Sequence, residues 1–191
     1  MTLEARAACA GAEVLVGAAR ALELFPECAG GRVVMNAGSH SLLEAVAAQD
    51  PSKRVAVLVT GDPGIASLGT LAIRRFGRAA CRVVPGISSA QVAFARLGLN
   101  WTGARILSAH SARPEAAIRG ESVLALLSGA KESFGWIADV LEGCGGGYAA
   151  FVCEDLTLAS ERVSRVDLAR LRQGGFSHRT VVVIAKEELI S

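Results

Sequence analysis

With 191 residues, 51% of them hydrophobic and 20% charged, the sequence is long enough for one large or two small globular domains and too apolar for a disordered chain. The formal net charge of +2 gives no electrostatic basis for binding nucleic acid. No apolar run approaches the roughly 20 residues that a membrane-spanning helix needs. The five cysteines form no C-x-x-C pair and no ligand spacing with the three histidines, so we expect reduced thiols, no metal and a cytoplasmic location.

The first hundred residues alternate short apolar runs with segments that carry helix-capping residues. Thr2 is placed to cap a first helix that Gly11 ends, and residues 54–60 (RVAVLVT) form the continuous apolar run typical of a strand covered on both faces. The alternation predicts a parallel sheet with helices on both faces. The predicted strands are 13–17, 32–36, 54–60 and 81–84, and the predicted helices are 2–11, 18–24, 41–49, 65–76 and 88–97.

The regular alternation of elements changes after Trp101. We expect a domain boundary near residues 99–105, which separates an N-terminal α/β domain (1–100) from a C-terminal α/β domain (104–191). In the second domain the pattern predicts strands at 105–108, 122–127, 148–153 and 180–185, helices at 115–120 and 133–143, and a mixed segment at 162–173.

Two polar turns follow neighbouring predicted strands of the first domain. The first is Gly61-Asp62-Pro63-Gly64, in which Asp62 either caps the turn or accepts hydrogen bonds from a ligand. The second, residues 85–89 (PGISS), either supplies Ser88 as a helix N-cap or directs hydroxyls and helix N–H groups at a ligand. Ligands of open α/β sheets bind outside the carboxyl ends of strands, so we expect a small-molecule site here.

Three further groups of polar residues have open interpretations. His110 and Arg113 lie just past a predicted strand, where they could contact a substrate carboxylate or stay solvated. Glu154 and Asp155 follow another strand and are typical of a solvated turn. Ser88, Asp155 and His178 also stand in the chain order of a hydrolase triad, but the elbow G-x-S-x-G ends in alanine here.

Four segments together resemble the tetrapyrrole methylases, a family of S-adenosylmethionine-dependent methyltransferases with two α/β domains. They are VLVTGDPGIASLG, VVPGISSAQVAFARLGLNW, LSAHSARP and CEDLTLASERV, in this order along the chain. The resemblance covers residues 3–191, and the ARLGLNW portion favours the members that methylate C5 of precorrin-6Y or cobalt-precorrin-7 in cobalamin biosynthesis. Members are commonly dimers, so the resemblance implies a homodimer.

The resemblance also implies a site in the cleft between the two domains. His110 and Arg113 would face the acetate and propionate groups of the tetrapyrrole, and His110 would be the candidate base for a macrocycle proton. The resemblance places S-adenosylmethionine against two turns of the first domain and the end of one strand of the second. The implied cofactor-binding residues are Gly61, Asp62, Pro63, Ile65, Ser88, Ser89, Leu127 and Ser128.

One departure from the family pattern concerns the start of this sequence. Members begin with a strand and a G-x-G-P-G loop before a Leu-Thr-x-Glu-Ala helix, whereas Thr2-Leu3-Glu4-Ala5 stands at the start here. We expect the missing strand to leave a gap or an unpaired edge in the first sheet. Two alternatives stay open: a homologue that binds the cofactor without turnover, and, independently of this departure, a sister methylase that acts on another tetrapyrrole or on a different substrate.

Overall fold

The computed structural model of the chain describes residues 1–35, 39–110, 113, 120–129 and 131–190. The chain forms two compact units, unit 1 (Met1–Ser88) and unit 2 (Ser89–Ser191). Both combine helices with a sheet, in agreement with the α/β class that the sequence predicts. The units divide at Ser88, whereas the sequence predicts a boundary near residues 99–105. The difference arises because the helix of residues 89–97 packs against the last strand of unit 2.

Unit 1 contains a three-stranded parallel sheet in the order β2-β1-β3. Its strands and helices alternate along the chain, as the sequence predicts. They are α1 (Leu3–Ala10), β1 (Val14–Gly17), α2 (Ala19–Leu22), β2 (Gly31–Val34), α3 (Ser39–Ala47), β3 (Val55–Val57) and α4 (Gly69–Phe76), followed by a 3-10 turn at Arg78–Ala80.

Helices cover both faces of the central strand β1, because successive side chains of a strand point to opposite faces. Leu15 is fully buried on one face, with Cys9 of α1 and Leu22 of α2. Val16 is buried on the other face, against Leu42 of α3. The prediction of a parallel sheet covered on both faces is therefore confirmed for the described part of unit 1.

The cap of the first helix is also as predicted. The Oγ1 atom of Thr2 accepts a hydrogen bond from the Ala5 amide at 3.2 Å, and Gly11 stands at the carboxyl end of α1. This hydrogen bond satisfies one of the helix N–H groups that have no partner within the helix.

Two predicted strands of unit 1 differ from the structure. The predicted strand 54–60 is reduced to Val55–Val57, and its side chains are half-buried, because β3 lies at the edge of the described sheet. The predicted strand at 81–84 is wrong: these residues form no ladder with any described strand. Both segments are apolar. In the described part of the chain, however, β3 has a partner strand on one side only, and residues 81–84 have none.

Unit 2 contains a five-stranded mixed sheet in the order β4-β5-β8-β6-β7. Only β4 and β5 are parallel, and the other neighbouring strands are antiparallel. The mixed segment that the sequence predicts at 162–173 resolves into an edge strand and a short helix. The elements are α5 (Ser89–Leu97), β4 (Arg105–Ser108), β5 (Val123–Ser128), α6 (Ser133–Cys144), β6 (Tyr148–Glu154), β7 (Arg162–Val166), α7 (Leu168–Gln173) and β8 (Thr180–Lys186).

The core of unit 2 lies between the sheet and the helices α6 and α7. Its largest fully buried side chains include Leu126 of β5, Ile137 of α6 and Ile184 of β8. The helix predicted at 115–120 falls mainly on residues outside the described ones. No helix in the described part of the chain is long and apolar enough to cross a membrane.

Candidate functional site

The first polar turn of unit 1 is organised by the carboxylate of Asp62. Its Oδ1 atom accepts a hydrogen bond from the Gly64 amide at 2.7 Å, which closes the turn locally. Its Oδ2 atom accepts a hydrogen bond from the Gly86 amide at 3.1 Å, although 24 residues separate the two along the chain. Asp62 therefore caps the first turn, as one of its two interpretations predicts. Its carboxylate also binds the second turn.

The second polar turn approaches the first at the level of the backbone. A Cβ atom added to Gly86 would lie 3.1 Å from the carbonyl carbon of Gly61 and closer still to its oxygen. Any residue larger than glycine at position 86 would therefore push the two turns apart. Gly61 itself has a φ of 77°, in the left-handed region that favours glycine.

Four more of the predicted cofactor residues lie in or directly after these two turns. Pro63 and Ile65 are half-buried, and helix α4 begins so close to the first turn that a Cβ on Gly69 would meet the Pro63 carbonyl group. Ser88 is buried, and exposed Ser89 is the first residue of α5. The structure thus brings Gly61 and Asp62 together with the second turn.

A second group of predicted residues lies at the carboxyl ends of β4 and β5 in unit 2. The Ala109 amide donates to the Leu127 carbonyl group at 2.8 Å, which places the end of β4 beside the end of β5. The imidazole of His110 lies directly against the α-carbon of Gly129: a Cβ atom there would be 2.7 Å from Cε1 and closer to Nδ1. Desolvation in this position lowers the pKa of His110.

The end of β5 is buried and polar. Leu127 and Ser128 are both buried, and the Oγ atom of Ser128 lies 2.7 Å from the Oγ atom of Ser133 at the start of α6. One hydroxyl therefore donates to the other, and the Ser128 hydroxyl is engaged inside the protein. A cofactor at the end of this strand would meet its backbone and Leu127.

Arg113 already has an acidic partner. Its Nη2 atom lies 2.6 Å from Oδ2 of Asp139 on α6. The other carboxylate oxygen of Asp139 is 3.0 Å from Arg172. A substrate carboxylate at Arg113 would therefore compete with Asp139 for the guanidinium group.

The interpretation of Glu154 and Asp155 as a solvated turn fits only part of the structure. Glu154 is 3% exposed, pairs with Arg162 at 3.0 Å and accepts from the Ser177 amide at 2.9 Å. The carboxylate of Asp155 accepts hydrogen bonds from Ser177 and Ser160, which hold its pKa below the usual range. Both acids are thus engaged in stabilising the loop after β6.

The sequence did not indicate Gly129, the residue that lies beside the candidate base His110. A glycine directly after the apolar strand SVLALLS was the available signal. The position of the His110 ring against it is a long-range contact that no local pattern reports. Within the described ranges, no three His, Cys, Asp or Glu side chains group together as ligands for a metal ion.

A family model described as Tetrapyrrole (Corrin/Porphyrin) Methylases matches residues 1–172. The chain belongs to this family. Members of the tetrapyrrole methylase family are S-adenosylmethionine-dependent methyltransferases. The family assignment from the four sequence segments is confirmed.

Two similar relatives carry names from cobalamin biosynthesis. The "Cobalt-precorrin-7 C(5)-methyltransferase" of Salmonella typhimurium is 34% identical over 110 residues, which are 58% of this chain and 54% of the relative. The match therefore spans about half the length of this relative. The "Probable cobalt-precorrin-7 C(5)-methyltransferase" of Methanocaldococcus jannaschii is 28% identical over 199 residues, which cover 100% of this chain and 93% of that protein.

Solved structures of tetrapyrrole methylases share the fold of this chain. The precorrin-6Y methylase of Archaeoglobus fulgidus superposes with a TM-score of 0.73 at 24% identity, covering 98% of this chain and 91% of the other. The uroporphyrin-III C-methyl transferase of Thermus thermophilus, complexed with S-adenyl homocysteine, gives 0.73 at 22% identity and covers 97% and 90%. At these identities the likeness concerns the fold.

Proposed function

We propose that this methylase-family chain transfers a methyl group from S-adenosylmethionine to a ring carbon of a corrin-pathway tetrapyrrole, at C5 of precorrin-6Y or cobalt-precorrin-7. The observation that carries the proposal is the family match over residues 1–172. The names of the two relatives support the position on the macrocycle. The reaction does not require a strong catalytic dyad, because a sulfonium methyl is already activated and the protein mainly has to align the reactants and exclude water.

The two turns of unit 1 fit a cofactor of this kind. S-adenosylmethionine supplies the methyl group. It also carries an adenine ring, which packs against apolar surface, and several polar groups that backbone N–H and C=O groups can bind. The close approach of Gly61 and Gly86 presents backbone rather than side chains, while half-buried Pro63 and Ile65 offer apolar contact. The exposed hydroxyl of Ser89 offers a hydrogen bond. The Asp62 carboxylate already accepts hydrogen bonds from two backbone amides. We therefore assign the direct contacts with the cofactor to these other groups first.

His110 is suited to accept a proton from the macrocycle. Desolvation lowers the pKa of His110 and so favours the neutral imidazole, the form that can act as a base. The Nδ1 edge of the ring faces Gly129, so Nε2 is the atom proposed to accept the proton. Arg113 is proposed to bind a carboxylate of the tetrapyrrole in exchange for Asp139, its partner in this structure.

The experiment combines binding with turnover. Calorimetric titration of the purified chain with S-adenosylhomocysteine measures cofactor binding, and incubation with S-adenosylmethionine and precorrin-6Y or cobalt-precorrin-7 measures methyl transfer by mass spectrometry. A product one methyl group heavier, with loss of turnover in His110→Ala, is the expected result. Unchanged turnover in His110→Ala would exclude the proposed role of this residue.

The same experiment separates the alternative functions. Tight binding of S-adenosylhomocysteine without methyl transfer to any tetrapyrrole would favour a binding module, and transfer to a different tetrapyrrole would favour a sister methylase. We also propose a cytoplasmic homodimer, for which light scattering should give twice the 19.7 kDa mass of one chain.

A further inference from the structure

The two polar turns of unit 1 follow chain segments that are not hydrogen-bonded to each other in a sheet. The strand β3 pairs only with β1 among the described strands. Residues 81–84, which lead into the second turn, form no ladder in the described part of the chain. In an intact parallel sheet, ladder hydrogen bonds would fix the spacing between such turns. Here other contacts have to fix it.

The second turn and its approach segment make contacts in two directions. One group joins them to helices: Arg82 pairs with Glu4 at 2.8 Å, and Thr2 donates to the Pro85 carbonyl group at 3.4 Å. The other group joins them to the first turn, through the Asp62 carboxylate and the packing of Gly86 on Gly61. The hydrogen bond from the Gly86 amide to Asp62 joins the two turns directly.

We propose that Asp62 is the positioning residue that holds the second turn against the first, and that the cofactor site depends on this spacing rather than on a direct contact with the Asp62 carboxylate. The inference rests on the proposed function for its ligand. It differs from the expectation that Asp62 accepts hydrogen bonds from the cofactor.

The chemistry of a carboxylate suits this role. Both oxygens accept hydrogen bonds, so one side chain can satisfy the Gly64 amide and the Gly86 amide together. Asparagine has one acceptor oxygen, and its NH₂ group would face the second amide as a donor facing a donor. Serine is shorter: its hydroxyl can still accept from the amide two residues ahead, but it cannot reach Gly86. Asp62→Ser therefore removes the link and keeps the local turn.

Asp50 provides a matched control in the same unit. Its Oδ1 atom accepts hydrogen bonds from the Ser52 amide at 2.9 Å and from the Ser52 hydroxyl at 2.7 Å. It therefore organises one turn without linking two. Asp50→Ser and Asp50→Asn change a turn aspartate in the same way as the Asp62 variants, without touching residues 60–89.

The experiment measures two quantities on the full chain. Amide hydrogen exchange reports the Gly86 N–H directly, and calorimetry measures the dissociation constant of S-adenosylhomocysteine. For Asp62→Ser and Asp62→Asn we expect faster exchange at Gly86 and a dissociation constant raised about 10- to 100-fold, the range for loss of a hydrogen bond to a charged group. The Asp50 variants should leave both quantities within twofold of the wild type.

The outcomes separate this proposal from the proposed function. Unchanged exchange at Gly86 in Asp62→Ser would overturn the positioning role. Weakened binding with unchanged Gly86 exchange would overturn it too, because it would indicate a direct contact with the ligand. If the wild type does not bind S-adenosylhomocysteine, the proposed function fails, while the exchange at Gly86 still tests the link. If Asp62→Asn does not fold, Asp62→Ser carries the test, since it keeps the local turn.

Discussion

Gly129→Ala is expected to displace the imidazole of His110 while leaving the fold intact. The added methyl carbon would lie 2.7 Å from Cε1 of the ring and closer to Nδ1. Ordinary carbon contacts begin near 3.5 Å, so the ring edge has to move by about 1 Å or more. The φ of Gly129 lies outside the left-handed range, and alanine therefore fits the backbone without strain.

The size of the effect on stability follows from which group has to move. Overpacking against rigid neighbours costs about 1–3 kcal/mol. Here the neighbour is a partly exposed side chain that can rotate away about its own bonds, so we expect a cost below about 1 kcal/mol. In a chain of this size such a cost lowers Tm by no more than about 2–4 °C.

The assay is an NMR titration of the His110 imidazole, combined with a thermal melt. In the wild type, desolvation holds the pKa of His110 below its usual value of about 6.5. Rotation of the ring into solvent should raise that pKa toward 6.5. Because folding favours the neutral form, the contribution of His110 to stability is fully present above pH 6.5 and is lost as the pH falls through the folded-state pKa. Gly129→Ala should weaken this pH dependence.

Gly135→Ala is the matched control, because nothing lies within 4 Å of a Cβ atom at that position in α6. It should stabilise the helix by about 0.5–1 kcal/mol and leave the pKa of His110 unchanged. An unchanged His110 pKa in Gly129→Ala would refute the reasoning about the position of the ring. A loss of several kcal/mol in that variant would show that the ring cannot move aside.

Three further outcomes are expected. Gly86→Ala meets a backbone carbonyl group rather than a mobile side chain, so it should cost about 1–3 kcal/mol or more in denaturant unfolding; a neutral effect would contradict the close approach of the turns. Ser128→Ala removes the hydrogen bond with Ser133 and should cost about 0.5–1.5 kcal/mol in the same measurement, whereas an unchanged midpoint would argue against the pair. Burial raises the pKa of Cys153 to about 12, so iodoacetamide at pH 8 should spare it and modify half-buried Cys81 in the native protein; labelling of Cys153 at the same rate would contradict its burial.

Local patterns were sufficient to predict most elements of the two units. Thr2 and Gly11 mark the ends of the first helix, because capping is decided by residues within one turn of each other. The apolar run at 122–127 becomes β5 (Val123–Ser128) with an error of one residue. In both cases the information lies in the segment itself.

Long-range partners were the information that the sequence did not provide. Residues 81–84 have the composition of a strand, but a strand exists only when a second one pairs with it. The predicted site residue Asp62 has its decisive partner, the Gly86 amide, 24 residues away. The ion pair of Arg113 with Asp139 of α6 likewise depends on how the helix packs. The sequence therefore identified the turns, and the structure was needed to find what holds them.

The half-buried edge strand of unit 1 has a consequence for how the protein unfolds. In the described part of the chain, nine buried apolar residues lie in unit 1 and twenty-four in unit 2. Since buried apolar area is the main stabilising term, unit 1 should open first on heating and unit 2 later, in two steps. A ligand held by the two turns binds folded unit 1 and would stabilise it against this first step, by about 2.7 kcal/mol at 100 times its dissociation constant. The less stable half of the molecule is thus the half whose folding a cofactor can control.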